Sequence, residues 1–147
     1  MIAADRITEL DDESIPTGKI LPVDKTPYDF RLSTAIGERI DQVAPGYDIN
    51  YVLAMENREL SRVAALHDRA SGRTMEVLTT LPGVQLYTSN YVDGISGKGG
   101  KVYEKHSAVC LETQFFPDSP NHLQFPSTVL KPDEEYSAVT LYRFSAL

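Results

Sequence analysis

The sequence predicts an all-β domain, a sandwich or a barrel, and two observations carry that expectation. Turn-forming residues punctuate the chain at Pro16-Thr17-Gly18, Pro45-Gly46, Ser71-Gly72, Pro82-Gly83, Asp93-Gly94, Gly97 to Gly100, Pro117 to Asn121 and Lys131-Pro132-Asp133. Between these breaks lie short runs rich in Val, Leu, Tyr and Thr, side chains that suit a pleated, half-buried surface. Taken in order, residues 33–41 are the one stretch that reads as a helix, with Ser33 as N-cap and Glu38 in its middle. A strand is expected over residues 47–53. Residues 62–67 and 74–80, joined by Asp68-Arg69-Ala70-Ser71-Gly72-Arg73, read as an antiparallel hairpin. Further strands are expected over residues 84–89, 108–116 and 136–144. There is no internal repeat and no low-complexity linker.

Composition narrows the function classes. A length of 147 residues fits one domain, and 41% hydrophobic with 24% charged residues is the balance of a soluble globular chain. The formal charge of -7 repels phosphate backbones and anionic headgroups, so neither nucleic acid nor a membrane is an expected partner. Charges at Asp5, Arg6 and Glu9 fall where a signal peptide needs an apolar run. Cys110 is the sole cysteine, which excludes an intrachain disulfide and a cysteine zinc cluster, and no Asn-x-Ser/Thr acceptor occurs. These features lead to the expectation of a cytoplasmic protein.

The chemistry-bearing residues sit inside the expected strands. In the run Ala108-Val109-Cys110-Leu111-Glu112-Thr113-Gln114-Phe115-Phe116, alternation puts Cys110, Glu112 and Gln114 on one face and Val109, Leu111, Thr113 and Phe115 on the other. A mid-strand carboxylate such as Glu112 is either solvated on an open sheet face or held in a pocket that raises its pKa toward a general-base value. Periodicity does not choose between them. Asp48 and Asn50 share one face of the strand around Tyr47, while Gln85, Tyr87 and Ser89 share one face of the run after Pro82-Gly83. Asp, Asn, Gln, Glu and Tyr together supply both donors and acceptors, the set that a neutral polyol such as a sugar requires. The alternative is the ordinary polar outer face of a sandwich.

Other signals point nowhere. Ser96-Gly97-Lys98-Gly99-Gly100 lacks the Ser or Thr that follows the lysine of a phosphate loop, and reads as a mobile loop. His67, His106 and His122 are scattered without metal-ligand spacing. His67 falls at a hairpin end and is expected to be solvated. His106 precedes the Glu112 strand, where it either lines the same cleft or serves as a satisfied structural histidine. No Gly-x-Ser-x-Gly elbow supports a serine hydrolase.

Seven segments, in order and nearly end to end, resemble one known family. They are Ile15-Pro16-Thr17-Gly18-Lys19-Ile20; Thr26-Pro27-Tyr28-Asp29-Phe30-Arg31; Gly46-Tyr47-Asp48-Ile49-Asn50-Tyr51; Ser71-Gly72-Arg73 with Met75-Glu76-Val77; Pro82-Gly83-Val84-Gln85-Leu86-Tyr87-Thr88-Ser89-Asn90; Cys110-Leu111-Glu112-Thr113-Gln114; and Phe125-Pro126-Ser127. Together they are similar to the C-terminal portion of the aldose 1-epimerases, the galactose mutarotase family. The resemblance implies a galactose mutarotase-like β-supersandwich, of which residues 1–147 would be the C-terminal part only, with the N-terminal part absent. It implies an isomerase that interconverts α and β anomers of aldohexoses such as galactose and glucose, with no metal or organic cofactor. By motif position, Glu112 resembles the family's catalytic base, Asp48 its hydroxyl-binding aspartate and Gln85 a further sugar contact. Ile49 departs from the histidine usual in the family, but alternation turns it away from Asp48.

The family's acid histidine, a second sugar-binding histidine and an arginine lie upstream of the Ile-Pro-Thr-Gly motif, and no residue here matches that acid. Two readings follow. Either a complementing N-terminal chain or self-association completes an enzyme, or the chain is a carbohydrate-binding remnant or an epimerase-like sugar-binding regulator.

Overall fold

The computed structural model of the chain describes residues 1–54 and 59–146. Its strands are β1 (Arg6–Leu10), β2 (Pro16–Pro22), β3 (Asp48–Val52), β4 (Ser61–His67), β5 (Arg73–Thr79), β6 (Gly83–Tyr87), β7 (Ile95–Ser96), β8 (Val102–Tyr103), β9 (Cys110–Gln114) and β10 (Thr140–Ala146). All the pairings among them are antiparallel. Five strands form one sheet in the order β2-β1-β3-β6-β9, three form a second in the order β10-β5-β4, and β7 pairs with β8 as a small hairpin.

Alternation explains why the two larger sheets pack face to face. Ile7, Ile49, Tyr51, Val84, Leu86 and Leu111 project from one side of the five-stranded sheet and join Val63, Ala64 and Val77 of the other sheet in one buried cluster. Ile2 and Phe30 complete it from the flanking segments. Tyr51 and Tyr47 bring hydroxyls into this core, and each is satisfied: Tyr51 donates to the Tyr28 carbonyl at 2.9 Å and Tyr47 to the Pro27 carbonyl at 3.0 Å. Burial raises the pKa of Tyr51 well above the ordinary phenol range, so its hydroxyl stays a donor. Across the sheet edge, Tyr142 of β10 donates to the Leu111 carbonyl of β9 at 3.0 Å, and Thr113 and Thr140 share a hydroxyl bond of 2.6 Å. The sandwich half of the sequence-based expectation is therefore met.

The expected hairpin is present as β4 and β5. Asp68 organises its turn by accepting from the backbone N–H groups of Ala70 and Ser71 and from the Ser71 hydroxyl, while Gly72 takes the left-handed conformation at φ 69. Those bonds hold the Asp68 carboxyl below the usual carboxylate range.

Several boundaries and one element differ from expectation. Residues 33–41 do not form an α-helix. They fold as two single 3₁₀ turns, Ile36–Glu38 and Ile40–Gln42, with Ala35 rather than Ser33 preceding the first and no side-chain cap at either. Gly37 lowers the helical preference of a stretch already too short to repay nucleation. Tertiary contacts hold it instead: Arg39 donates to the Asp29 carbonyl at 2.6 Å and lies 5.3 Å from the Phe30 ring centroid. The strand expected over residues 84–89 ends at Tyr87, because Ser89 turns with φ 55. The last strand begins at Thr140 rather than at Tyr136: its ladder with β5 starts at the Thr140–Thr79 pair, and before it only Val139 is tied on, its carbonyl accepting from the Thr80 N–H at 3.0 Å. Of residues 96–100, Ser96 ends β7 and residues 97–100 lie in the tight turn that leads to β8, with Gly99 and Gly100 at positive φ. Strands β1, β2, β7 and β8 were not foreseen. Among the described residues, no helix is long and apolar enough to cross a membrane.

Candidate active site

The site lies on the sheet face opposite the core, and strand register assembles it. Across β3, β6 and β9 the directly opposed residues form three rows: Asp48, Tyr87 and Cys110; Asn50, Gln85 and Glu112; Val52, Gly83 and Gln114. Residues opposed in this way share one face, so three motifs far apart in sequence become immediate neighbours. Ile49 points the other way and is buried in the core, as alternation requires.

Side-chain bonds link the rows. Gln85 Nε2 donates to Asp48 Oδ1 at 2.7 Å, and Gln114 Nε2 donates both to Gln85 Oε1 at 3.0 Å and to Asn50 Oδ1 at 3.1 Å. The Glu112 side chain is exposed and its carboxylate makes no hydrogen bond or ion pair with the described residues. Asp48, Gln85, Tyr87, Tyr91, Glu112 and Gln114, with Pro117, line an open cleft of about 410 Å³. A smaller cavity of about 110 Å³ adjoins it, bounded by Thr8, Asn50, Asp48 and Gln85 among others. Glu112 is thus exposed on the open sheet face, the first of the two readings that periodicity left open, at the wall of this cleft.

Loops buttress both ends of the cleft. At the Asp48 end, the Tyr47 carbonyl accepts from the Thr88 backbone N–H at 3.0 Å and from Asn90 Nδ2 at 2.9 Å, which pins the turn after β6 against the start of β3. His106 is bonded through Nδ1 to the Thr88 carbonyl at 2.9 Å, a structural role. At the Gln114 end, Phe116 and Phe125 meet edge to face with ring centroids 5.2 Å apart and bury Val52 beneath them. Their loop is tied to β2 by bonds from His122 to the Pro16 carbonyl and from Gln124 to the Gly18 carbonyl, each 2.9 Å. His67 is exposed at the end of β4, bonded to Thr74.

The three residues singled out from sequence, Asp48, Gln85 and Glu112, therefore share one cleft. Sequence alternation had also placed Asn50, Tyr87 and Gln114 on the correct face without assigning them to the site. Tyr91, Pro117 and Thr8 were missed: Tyr91 and Pro117 sit in loops that have no period to read, and β1 was not recognised as a strand. Among the described residues, no group of three His, Cys, Asp or Glu side chains converges as a metal site would require. Two accessible carboxylates flanked by amides and tyrosines suit hydrogen bonding to hydroxyls and proton transfer.

Comparison with known proteins identifies one family. The family described as aldose 1-epimerase matches residues 1–143. A galactose mutarotase of Rattus norvegicus is 47% identical over 146 residues, covering 98% of this chain and 42% of its own length. An aldose 1-epimerase of Escherichia coli (strain K12) is 31% identical over 152 residues, covering 99% of this chain and 44% of its own. The crystal structure of a GalM/aldose epimerase homologue from C. elegans superposes with a TM-score of 0.88 at 30% identity, over 99% of this chain and 45% of that one. The chain spans less than half the length of the relatives it matches. With a sequence match across almost its whole length and a shared fold, the chain belongs to the aldose 1-epimerase family.

Proposed function

We propose that this chain supplies the base side of an aldose 1-epimerase active site, acting on aldohexoses such as galactose and glucose in hexose metabolism. The observation that carries the proposal is the Glu112 carboxylate, exposed to the cleft, without an internal partner, and in register with Gln85 on the neighbouring strand. In the reaction so assigned, Glu112 takes the proton from the C1 hydroxyl as the C1–O5 bond opens. The aldehyde rotates about C1–C2, and reclosure on the other face returns the proton. Asp48 and Gln85 bind sugar hydroxyls, the carboxylate accepting and the amide donating. A cytoplasmic location and the absence of a resident cofactor go with this reading.

The ring oxygen must be protonated from the opposite side of the hemiacetal. Among the described residues the cleft lining offers carboxylates, amides and tyrosines but no imidazole. We therefore assign the acid to a further polypeptide, an N-terminal part of the same sandwich or a second chain, that covers the open side. Exposed apolar side chains at the edge of the second sheet support docking of a further polypeptide on the sandwich: Leu141, Tyr142 and Phe144 of the edge strand β10 are all exposed, Phe144 at 73%. Residues 1–147 are on this reading the C-terminal part of one β-sandwich domain. The composition of the lining also favours a second reading, a sugar-binding module or regulator without turnover.

Polarimetry of freshly dissolved α-galactose, combined with sugar titration followed by NMR, tests these assignments. The chain alone is expected to bind galactose at the cleft and to accelerate anomerisation weakly or not at all, because lack of general-acid assistance costs on the order of 10²–10⁴ in rate. A fast rate abolished by Glu112→Gln would overturn the need for an external acid. Cleft resonances that ignore galactose would overturn the sugar site itself.

A further inference from the structure

We propose that Gln114 is a positioning residue: its carboxamide fixes which way the Gln85 amide faces, and so decides the donor and acceptor pattern that the cleft presents to a hydroxyl. This rests on the sugar-site reading above and deepens it.

The hydrogen-bond chain has a direction. An ionised carboxylate only accepts, so the 2.7 Å contact between Asp48 Oδ1 and Gln85 requires Gln85 to turn its amino group toward Asp48. Gln85 Oε1 then faces the other way and needs a donor, which Gln114 Nε2 supplies at 3.0 Å. The same amino group of Gln114 uses its second hydrogen on Asn50 Oδ1, 3.1 Å away. Turning Gln85 over would set oxygen against the Asp48 carboxylate and nitrogen against the Gln114 amino group, unfavourable at both ends. Asp48 alone restrains only one of them.

Two further features show that the arrangement is built in. Asn50 is 1% exposed, and it keeps its oxygen toward Gln114 although its own Nδ2 is left without a partner among the described residues. Gly83 lies in the row between Val52 and Gln114, and a Cβ there would collide with Asn50 Oδ1 and stand 3.1 Å from Phe116 Cδ1. The missing side chain at Gly83 is the space through which the Asn50 amide reaches Gln114. What the chain leaves free is the second N–H of Gln85 beside the second oxygen of Asp48, a donor next to an acceptor. That pair matches neighbouring hydroxyls on a sugar.

The test uses the whole 147-residue chain, D-galactose as probe, and NMR of side-chain carboxamides. In the sugar-free wild type, the Gln85 and Gln114 amide protons are expected to exchange more slowly than those of exposed glutamines; equal exchange overturns the proposal without any variant. Gln114→Met is expected to shift the Gln85 carboxamide resonances before sugar is added and to weaken galactose binding about tenfold, the scale of one lost hydrogen bond. Unmoved Gln85 resonances overturn the proposal.

Gln114→Glu supplies a readout that packing alone does not move. A carboxylate facing the oxygens of Gln85 and Asn50 is disfavoured, which raises its pKa, and its protonated form can again donate to Gln85. Its affinity relative to wild type is therefore expected to be near one at about pH 5 and to fall about tenfold by about pH 8. A ratio independent of pH overturns the proposal. Gln85→Leu separates the two levels: undiminished galactose binding by that variant sinks the sugar-site reading, whereas weakened binding by Gln85→Leu with normal behaviour of both Gln114 variants sinks only the positioning role.

Discussion

The two faces of β3, β6 and β9 are made by the same backbone in the same register, yet they are stabilised differently. On the inner face Ile49, Tyr51, Val84, Leu86 and Leu111 are each at most 5% exposed and pack against the second sheet. On the outer face Asp48, Gln85 and Gln114 are half-buried and bonded to each other, and the Glu112 carboxylate next to them is exposed and bonded to nothing described. The difference teaches where stability and function separate. Apolar contacts are non-directional and tolerate no loss of volume, whereas the polar face must hold particular atoms in particular orientations at little gain in stability.

Paired substitutions on adjacent strands test that separation most sharply. Leu86→Ala is expected to destabilise the chain by about 2–5 kcal/mol, while Glu112→Gln stays within about 0.5 kcal/mol of wild type in urea unfolding. Comparable losses from the two would break the contrast. A smaller effect is expected where a polar group is embedded in the apolar face. Tyr51→Phe removes the donor to the Tyr28 carbonyl and is expected to cost about 1 kcal/mol in the same assay. A neutral result would mean that the ring alone matters there.

The smallest effect concerns the surface loop that closes the core. Hydrogen bonding to Arg31 holds the Asp29 carboxyl below the usual range, so its folded pKa lies under its unfolded one. The stabilisation this gives is present above the unfolded carboxylate pKa and lost as pH falls through the lower folded value. Arg31→Ala should therefore lower the neutral plateau of a stability-versus-pH curve slightly and leave its acid end unchanged, which shallows the acid limb; the change is small because the pair lies at the surface. An unchanged acid limb would remove this ion pair from the account.

The site was more legible in the sequence than the fold around it. Asp48, Gln85 and Glu112 stood out because each interrupts an apolar strand, and period-2 alternation alone assigned Asn50, Tyr87 and Gln114 to the same face. Alternation also turned Ile49 correctly inward. Strand ends were less legible because pairing partners set them: β10 starts where β5 stops, and β6 stops where Ser89 turns. The helix expected over residues 33–41 failed for a related reason. Its Ile36 and Ile40 pack on the core at helical spacing, but two 3₁₀ turns meet the same requirement without a helix nucleus.

By itself the sequence determined the strand-rich class, the family, and the inward and outward faces of each central strand. All of these follow from local alternation and motif order. Only the tertiary structure decided that the three motifs lie in adjacent rows, that Gly83 makes room for Asn50, and that Gln114 rather than solvent satisfies Gln85. Those facts depend on which strands pair and in what register. Register is set by the joint burial of apolar faces across the whole sheet, a long-range condition that no single segment of the chain contains.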